Sequence, residues 1–230
     1  MIQWLCLWRI DAMKRRRKER IGRSAPQRRP KVQFTLFCEG RRTEPLYFIA
    51  LKSRESGSLI SIQFGDRGRA PITLAEKAVK FAKSAGSMRG RGGRRNLFEE
   101  QDQVWVVFDR DEHERFDEAV SLCEANGIGV ARSNPCFEVW LILHMVDYDR
   151  QDDRDRVKDE FGRLASDFGL ELSGKAIFEK LMTAVEDAEE RVEELDRRRK
   201  EEGQPYGRPS TTVGDLTKAI RKACNRVSGV

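Results

Sequence analysis

Two groups of acids stand where apolar runs end. Asp109 and Asp111 follow the run Val104–Phe108, and Glu39 follows the run Val32–Cys38. In an extended segment residues i and i+2 point the same way, so Asp109 and Asp111 are expected to face together, with Arg110 directed elsewhere. If the two runs are neighbouring strands, about 4.8 Å apart, Glu39, Asp109 and Asp111 converge on one ion. Carboxylate oxygens are hard ligands that favour Mg²⁺ or Mn²⁺ over zinc. An ion held by few protein ligands leaves positions open for water and phosphate, activating the one and offsetting charge on the other. The expected chemistry is phosphodiester hydrolysis, with Glu39 also a candidate general base. A lone DxD after a strand often serves only as a turn and helix cap. The acid on a second, independent strand shifts the reading toward metal.

Weaker candidates surround these three. Glu44 and Glu138 each fall at an expected helix start, where the helix dipole favours an acid for structural reasons alone. Arg41 and Arg42 follow Glu39-Gly40 and could grip a phosphate through bidentate contacts, or form an ordinary solvated turn. His113, beside the acids, could relay a proton or touch phosphate, although most single histidines only make local hydrogen bonds. His144 lies in an apolar stretch and reads as a packed structural residue. No G-x-x-x-x-G-K-[ST] occurs, so no P-loop for ATP hydrolysis is expected, and nothing supports Ser-His-Asp catalysis.

The elements that must position these groups alternate. Strands are expected at Val32–Cys38, Leu59–Phe64, Val104–Phe108 and Ile128–Ala131. Helices are expected from Thr43, with Thr43 as cap and Pro45 in the first turn, from Pro71 to about Ser84, from Glu114 to Asn126 with Gly127 as its stop, and over Phe137–Met145. Strand-helix alternation implies βαβ units and a mainly parallel sheet flanked by helices over residues 31–146, an α/β, Rossmann-like class. Residues 147–230 read as a helical C-terminal extension, with helices at 153–168, 175–200 and 211–227. Leu181, Val185, Ala188, Val192 and Leu195 form an apolar stripe, expected to pack on the protein's own core rather than on a partner helix.

Charge separates the first 30 residues from the rest. They hold ten lysines and arginines against two acids, a net of +8, which leaves −2 for the other 200 residues of a chain whose total is +6. Such a tail, expected to be disordered, attracts polyanions without reading sequence. Residues 86–96, GSMRGRGGRRN, read as a flexible basic loop. With 39% hydrophobic and 36% charged residues, and no run near the roughly 20 apolar residues that span a bilayer, no membrane association is expected. The apolar stretch Ile2–Trp8 precedes its basic residues, the reverse of a secretory signal. Five cysteines without a CxxC pair suit a reduced, cytoplasmic protein. Met13 before Lys14–Arg17 also reads as a start, making residues 1–12 an extension.

Three blocks together resemble a known family. FCEGRRTEPLYF (Phe37–Phe48), VWVVFDRDEH (Val104–His113) and SNPCFEVWLILH (Ser133–His144), in that order, are similar to the RloB-like proteins, the group that includes the AbiLii abortive-infection protein. RPSTTV (Arg208–Val213) resembles a C-terminal motif of the same family. The resemblance implies a Toprim-like fold, in which a glutamate after the first strand and a DxD after the third are the metal and catalytic residues; they carry over as Glu39, Asp109 and Asp111. It also implies a role in bacterial anti-phage defence beside an AAA-type ATPase partner. A Toprim topoisomerase or primase needs additional domains that this length barely accommodates, so a nuclease acting on DNA or RNA, tRNA included, is the expectation. The alternative is a non-catalytic nucleic-acid-binding or regulatory subunit of an ATPase complex. Self-association stays open.

Overall fold

The computed structural model describes residues 32–55, 60–87, 102–110, 113–171 and 174–228. The basic tail, the Arg-Gly loop from residue 88 onward and Asp111 lie outside the described residues. In chain order the elements are β1 (Val32–Cys38), α1 (Thr43–Arg54), β2 (Ile60–Arg67), α2 (Pro71–Ser87), β3 (Gln103–Asp109), α3 (Phe116–Glu124), β4 (Gly129–Asn134), α4 (Glu138–Leu143), α5 (Arg154–Asp167), α6 (Ala176–Leu181), a 3₁₀ turn (Met182–Ala184), α7 (Val185–Glu201), β5 (Ser210–Thr211) and α8 (Val213–Ser228).

The strands form one sheet in the order β2-β1-β3-β4-β5, parallel except for the short last strand, which runs antiparallel to β4. Side chains alternate between its two faces, as the pleat requires. Phe34, Leu36, Cys38 and Val107 enter one core with α1, α4 and the helices that follow; Phe37, Val104, Val106 and Phe108 enter the other with α2 and α3. This is a doubly wound α/β fold, and the C-terminal helices pack with α1 and α4 on one face of it. The stripe Leu181, Val185, Ala188, Val192, Leu195 is buried in that first core, on the protein's own helices, as expected.

Several boundaries differ from the sequence reading, each for a local reason. β2 runs three residues past Phe64 because it is an edge strand, and its polar end Asp66–Arg67 carries no apolar signal. Thr43 does not cap α1: Arg42 stands at that position, without a side-chain cap bond. The helix expected over 175–200 breaks at Met182–Ala184, where Thr183 Oγ1 donates to the Lys180 carbonyl (2.9 Å) and competes with the helical ladder. The helix expected from Thr211 begins at Val213, since Ser210 and Thr211 pair with Asn134 and Ser133 as β5. Gly127 does end the α3 region, with φ +67°. Among the described residues no helix is long and apolar enough to cross a membrane.

Candidate functional site

Strand order reverses between β1 and β3, and in open parallel sheets ligands bind beyond the carboxyl ends of strands at such a reversal. Glu39 and Asp109 end these two strands. The Glu39 N–H donates to the Val107 carbonyl (2.8 Å), extending the ladder one residue, and the Asp109 N–H donates to Glu39 Oε2 (3.1 Å). The expected neighbourhood of the two acids is therefore present, with the Glu39 carboxylate lying across the end of β3. His113 Nε2 is 3.4 Å from Glu39 Oε1. The Arg110 guanidinium turns away onto the Phe116 ring, 5.6 Å from its centroid.

Glu44 and Glu138 are closer to the centre than a capping role requires. Glu44 is only 4% exposed and Asp109 only 7%. Glu44 curls back so that its Oε1 accepts the Gly40 N–H (2.8 Å). A Cβ at residue 40 would collide with that carboxylate, so the glycine after Glu39 serves close approach. Burial pushes the Asp109 carboxyl well above the usual carboxylate range; the charges of Glu44, Glu39 and Glu138 push it further, and Arg154 pulls it back. Burial also raises Glu44, against hydrogen bonds from its own N–H and that of Gly40, with Glu138 and Glu39 adding to the rise. Cys136, buried beside them, has its thiol raised by burial, by Glu138 and by Asp109, and is a packed thiol rather than a nucleophile.

The donor set suits a hard divalent cation: oxygen-only ligands crowded into mutual repulsion that an added positive charge would relieve. Among the described residues, however, no three His, Cys, Asp or Glu side chains already stand in a ligand arrangement. Glu39 is committed to the Asp109 N–H and Glu44 to Gly40.

Basic groups border the acids on the β2 side. Arg41 and Arg42 are exposed, and Arg41 packs over Gly68, whose φ of +69° suits glycine. Arg67 and Arg69, at and just beyond the end of β2, are exposed at the same sheet edge. The sequence reading missed this second pair because it stopped the strand at Phe64; the D-R-G-R run Asp66–Arg69 was the available signal. It also missed Arg154, which reaches the site from a distant helix. His144 is structural, as expected: its Nδ1–H donates to the Trp140 carbonyl (2.9 Å), and its Nε2 accepts from the Tyr47 hydroxyl (3.1 Å).

Fold and strand-end acids together define a doubly wound α/β protein with an acidic centre at its switch point. A family model described as RloB-like protein matches residues 34–220, and the chain belongs to the RloB-like family. No curated protein and no solved structure matches it.

Proposed function

We propose that this protein is a Toprim-type, metal-dependent nuclease that hydrolyses phosphodiesters of DNA or RNA, working in anti-phage defence with an AAA-type ATPase. The observation that carries this reading is the gathering of four carboxylates, Glu39, Glu44, Asp109 and Glu138, where β1 and β3 part. A protein that only bound a polyanion would have no reason to place acids there.

Glu39, Asp109 and Asp111 are the residues proposed to hold Mg²⁺ or Mn²⁺, with Glu44 and Glu138 supporting them. Bound there, the ion supplies Lewis acidity and offsets charge on the scissile phosphate. The protein's own groups do the rest. Glu39, partly exposed and 3.4 Å from His113, would take a proton from an attacking water, with His113 as a relay. Arg41, Arg42, Arg67 and Arg69 border the acids where backbone phosphates would run, each able to pair bidentately.

The test is cleavage of labelled single- and double-stranded DNA and of total tRNA with Mg²⁺, Mn²⁺ or EDTA. Wild type is run beside folded Glu39→Ala and Asp109→Ala, with and without the ATPase. Metal-dependent cutting by wild type, lost in both variants, is the expected result. No cutting of any substrate and no metal uptake would point instead to a non-catalytic subunit of the ATPase complex.

A further inference from the structure

The acid cluster already contains a cation. Arg154, the first residue of α5, places Nη2 3.5 Å from Asp109 Oδ2. It arrives from a segment that lies beyond the βαβ units supplying the acids, and that segment is itself tied down. Tyr148 donates its hydroxyl to Asp152 (2.9 Å), Arg150 bridges Asp152 (3.4 Å) and Glu160 (2.6 Å), and Asp153 caps α5 by accepting the Arg156 N–H (3.0 Å). The backbone thus delivers Arg154 to a fixed point, while its side chain stays 34% exposed and the Asp109 side chain is only 9% exposed.

Two consequences follow from this arrangement. Nη2 faces Oδ2 of Asp109, and its positive charge opposes a divalent ion drawn to the same carboxylate. A guanidinium released from Asp109 would remain at the rim of the site, and its planar fork matches a phosphate. Buried acids without compensating charge are costly, and Arg154 supplies part of that charge at Asp109.

We propose that Arg154 is an exchangeable counter-charge: it neutralises the strand-end acids in the metal-free protein, yields Asp109 to the divalent ion, and then binds a phosphate oxygen of the substrate. This rests on the nuclease reading above and adds a residue and a sequence of events to it.

The experiment measures Mn²⁺ binding to the full chain by loss of the free-ion electron paramagnetic resonance signal, for wild type, Arg154→Ala and Arg154→Lys. Melting curves in EDTA and in Mn²⁺ accompany it. Arg154→Ala is expected to bind Mn²⁺ about three- to tenfold more tightly, the range a partly screened pair supports. It should melt lower than wild type in EDTA and recover in Mn²⁺. Where cleavage is measurable, its KM should rise more than its kcat falls. Arg154→Lys keeps the charge but loses the fork, and should show near wild-type Mn²⁺ affinity with a raised KM. If Arg154→Ala melts below the assay temperature, Arg154→Gln, neutral and of similar reach, is measured in its place with the same expectation. Equal or weaker Mn²⁺ affinity in the neutral variant overturns the exchange while leaving the nuclease reading intact. A wild type that takes up no Mn²⁺ overturns both.

Discussion

Two clusters of acids in this protein are treated in opposite ways. Between α1, α7 and α8, Glu55, Glu186 and Glu189 are matched by Arg54 and Arg221. Arg54 reaches both Glu186 oxygens at 2.8 Å, Arg221 pairs with Glu186 and Glu189, and the Thr217 hydroxyl donates to Glu189 (2.8 Å). Burial pushes both Glu186 and Glu189 up; Arg54 and Arg221 bring Glu186 below the usual carboxylate range, while Glu189 stays raised against the pull of Thr217 and Arg221. At the strand ends, Glu39, Glu44 and Glu138 crowd around Asp109, Arg154 reaches Asp109 at 3.5 Å, and Asp109 and Glu44 stay raised. In one cluster each acid has an arginine partner within 4 Å. In the other, among the described residues, the acids repel one another more than Arg154 offsets at Asp109. Composition cannot show this difference, because it lies in which charges meet.

Removing one acid from each cluster should therefore have opposite effects. Glu189→Ala leaves the Arg221 guanidinium without its buried partner and is expected to destabilise the fold by about 3 kcal/mol in urea denaturation. A loss under 1 kcal/mol would make this pairing no stronger than surface pairing.

Next in size is a control on acid pH. Burial holds His144 neutral and lowers its pKa from 6.5 to about 4. A base depressed in this way contributes stability that is present above pH 6.5 and lost as pH falls toward 4, by about 3 kcal/mol. His144→Gln, which cannot titrate, should flatten that limb relative to its own neutral-pH stability. An unchanged acid limb would place the loss elsewhere.

The strand-end acids have the reverse sign. Carboxyls raised by folding contribute stability at acid pH that is lost as pH rises through their raised values. Asp109→Asn or Glu44→Gln should then stabilise the metal-free protein by about 1 kcal/mol at pH 8, with the gain fading on acidification. Destabilisation by both at pH 8 in EDTA would show that the acids are not held in repulsion. The smallest effect belongs to exposed pairs such as Arg115–Glu118, where Arg115→Ala should leave the midpoint of the same denaturation unchanged within error.

The sheet and the first two site acids were legible because each depends on local sequence. Val32–Cys38 and Val104–Phe108 are apolar enough to mark central strands, and Glu39 and Asp109 stand at their ends. Glu44 was legible as an acid near the site but not as a buried one, since that depends on its carboxylate folding over Gly40. Arg154 and β5 were not legible. Arg154 is one arginine among several in a charged helix, and Ser210–Thr211 is a two-residue strand whose pairing is made 78 positions away, between Thr211 and Ser133. What was missed depends on long-range contacts, which no local pattern encodes.

That late strand has a consequence for how the protein is made. Ser133, the neighbour of Asp109 on β4, pairs with Thr211, and Thr212 ties the same strand through its N–H to the Arg132 carbonyl (2.8 Å). The ribosome delivers Asp109 102 residues before Thr211. At about 5–20 residues per second that interval lasts roughly 5 to 20 seconds. During it the nascent chain holds its acids on a sheet whose β4 edge is still unpaired, so any property that needs the closed edge waits until Thr211 has been added.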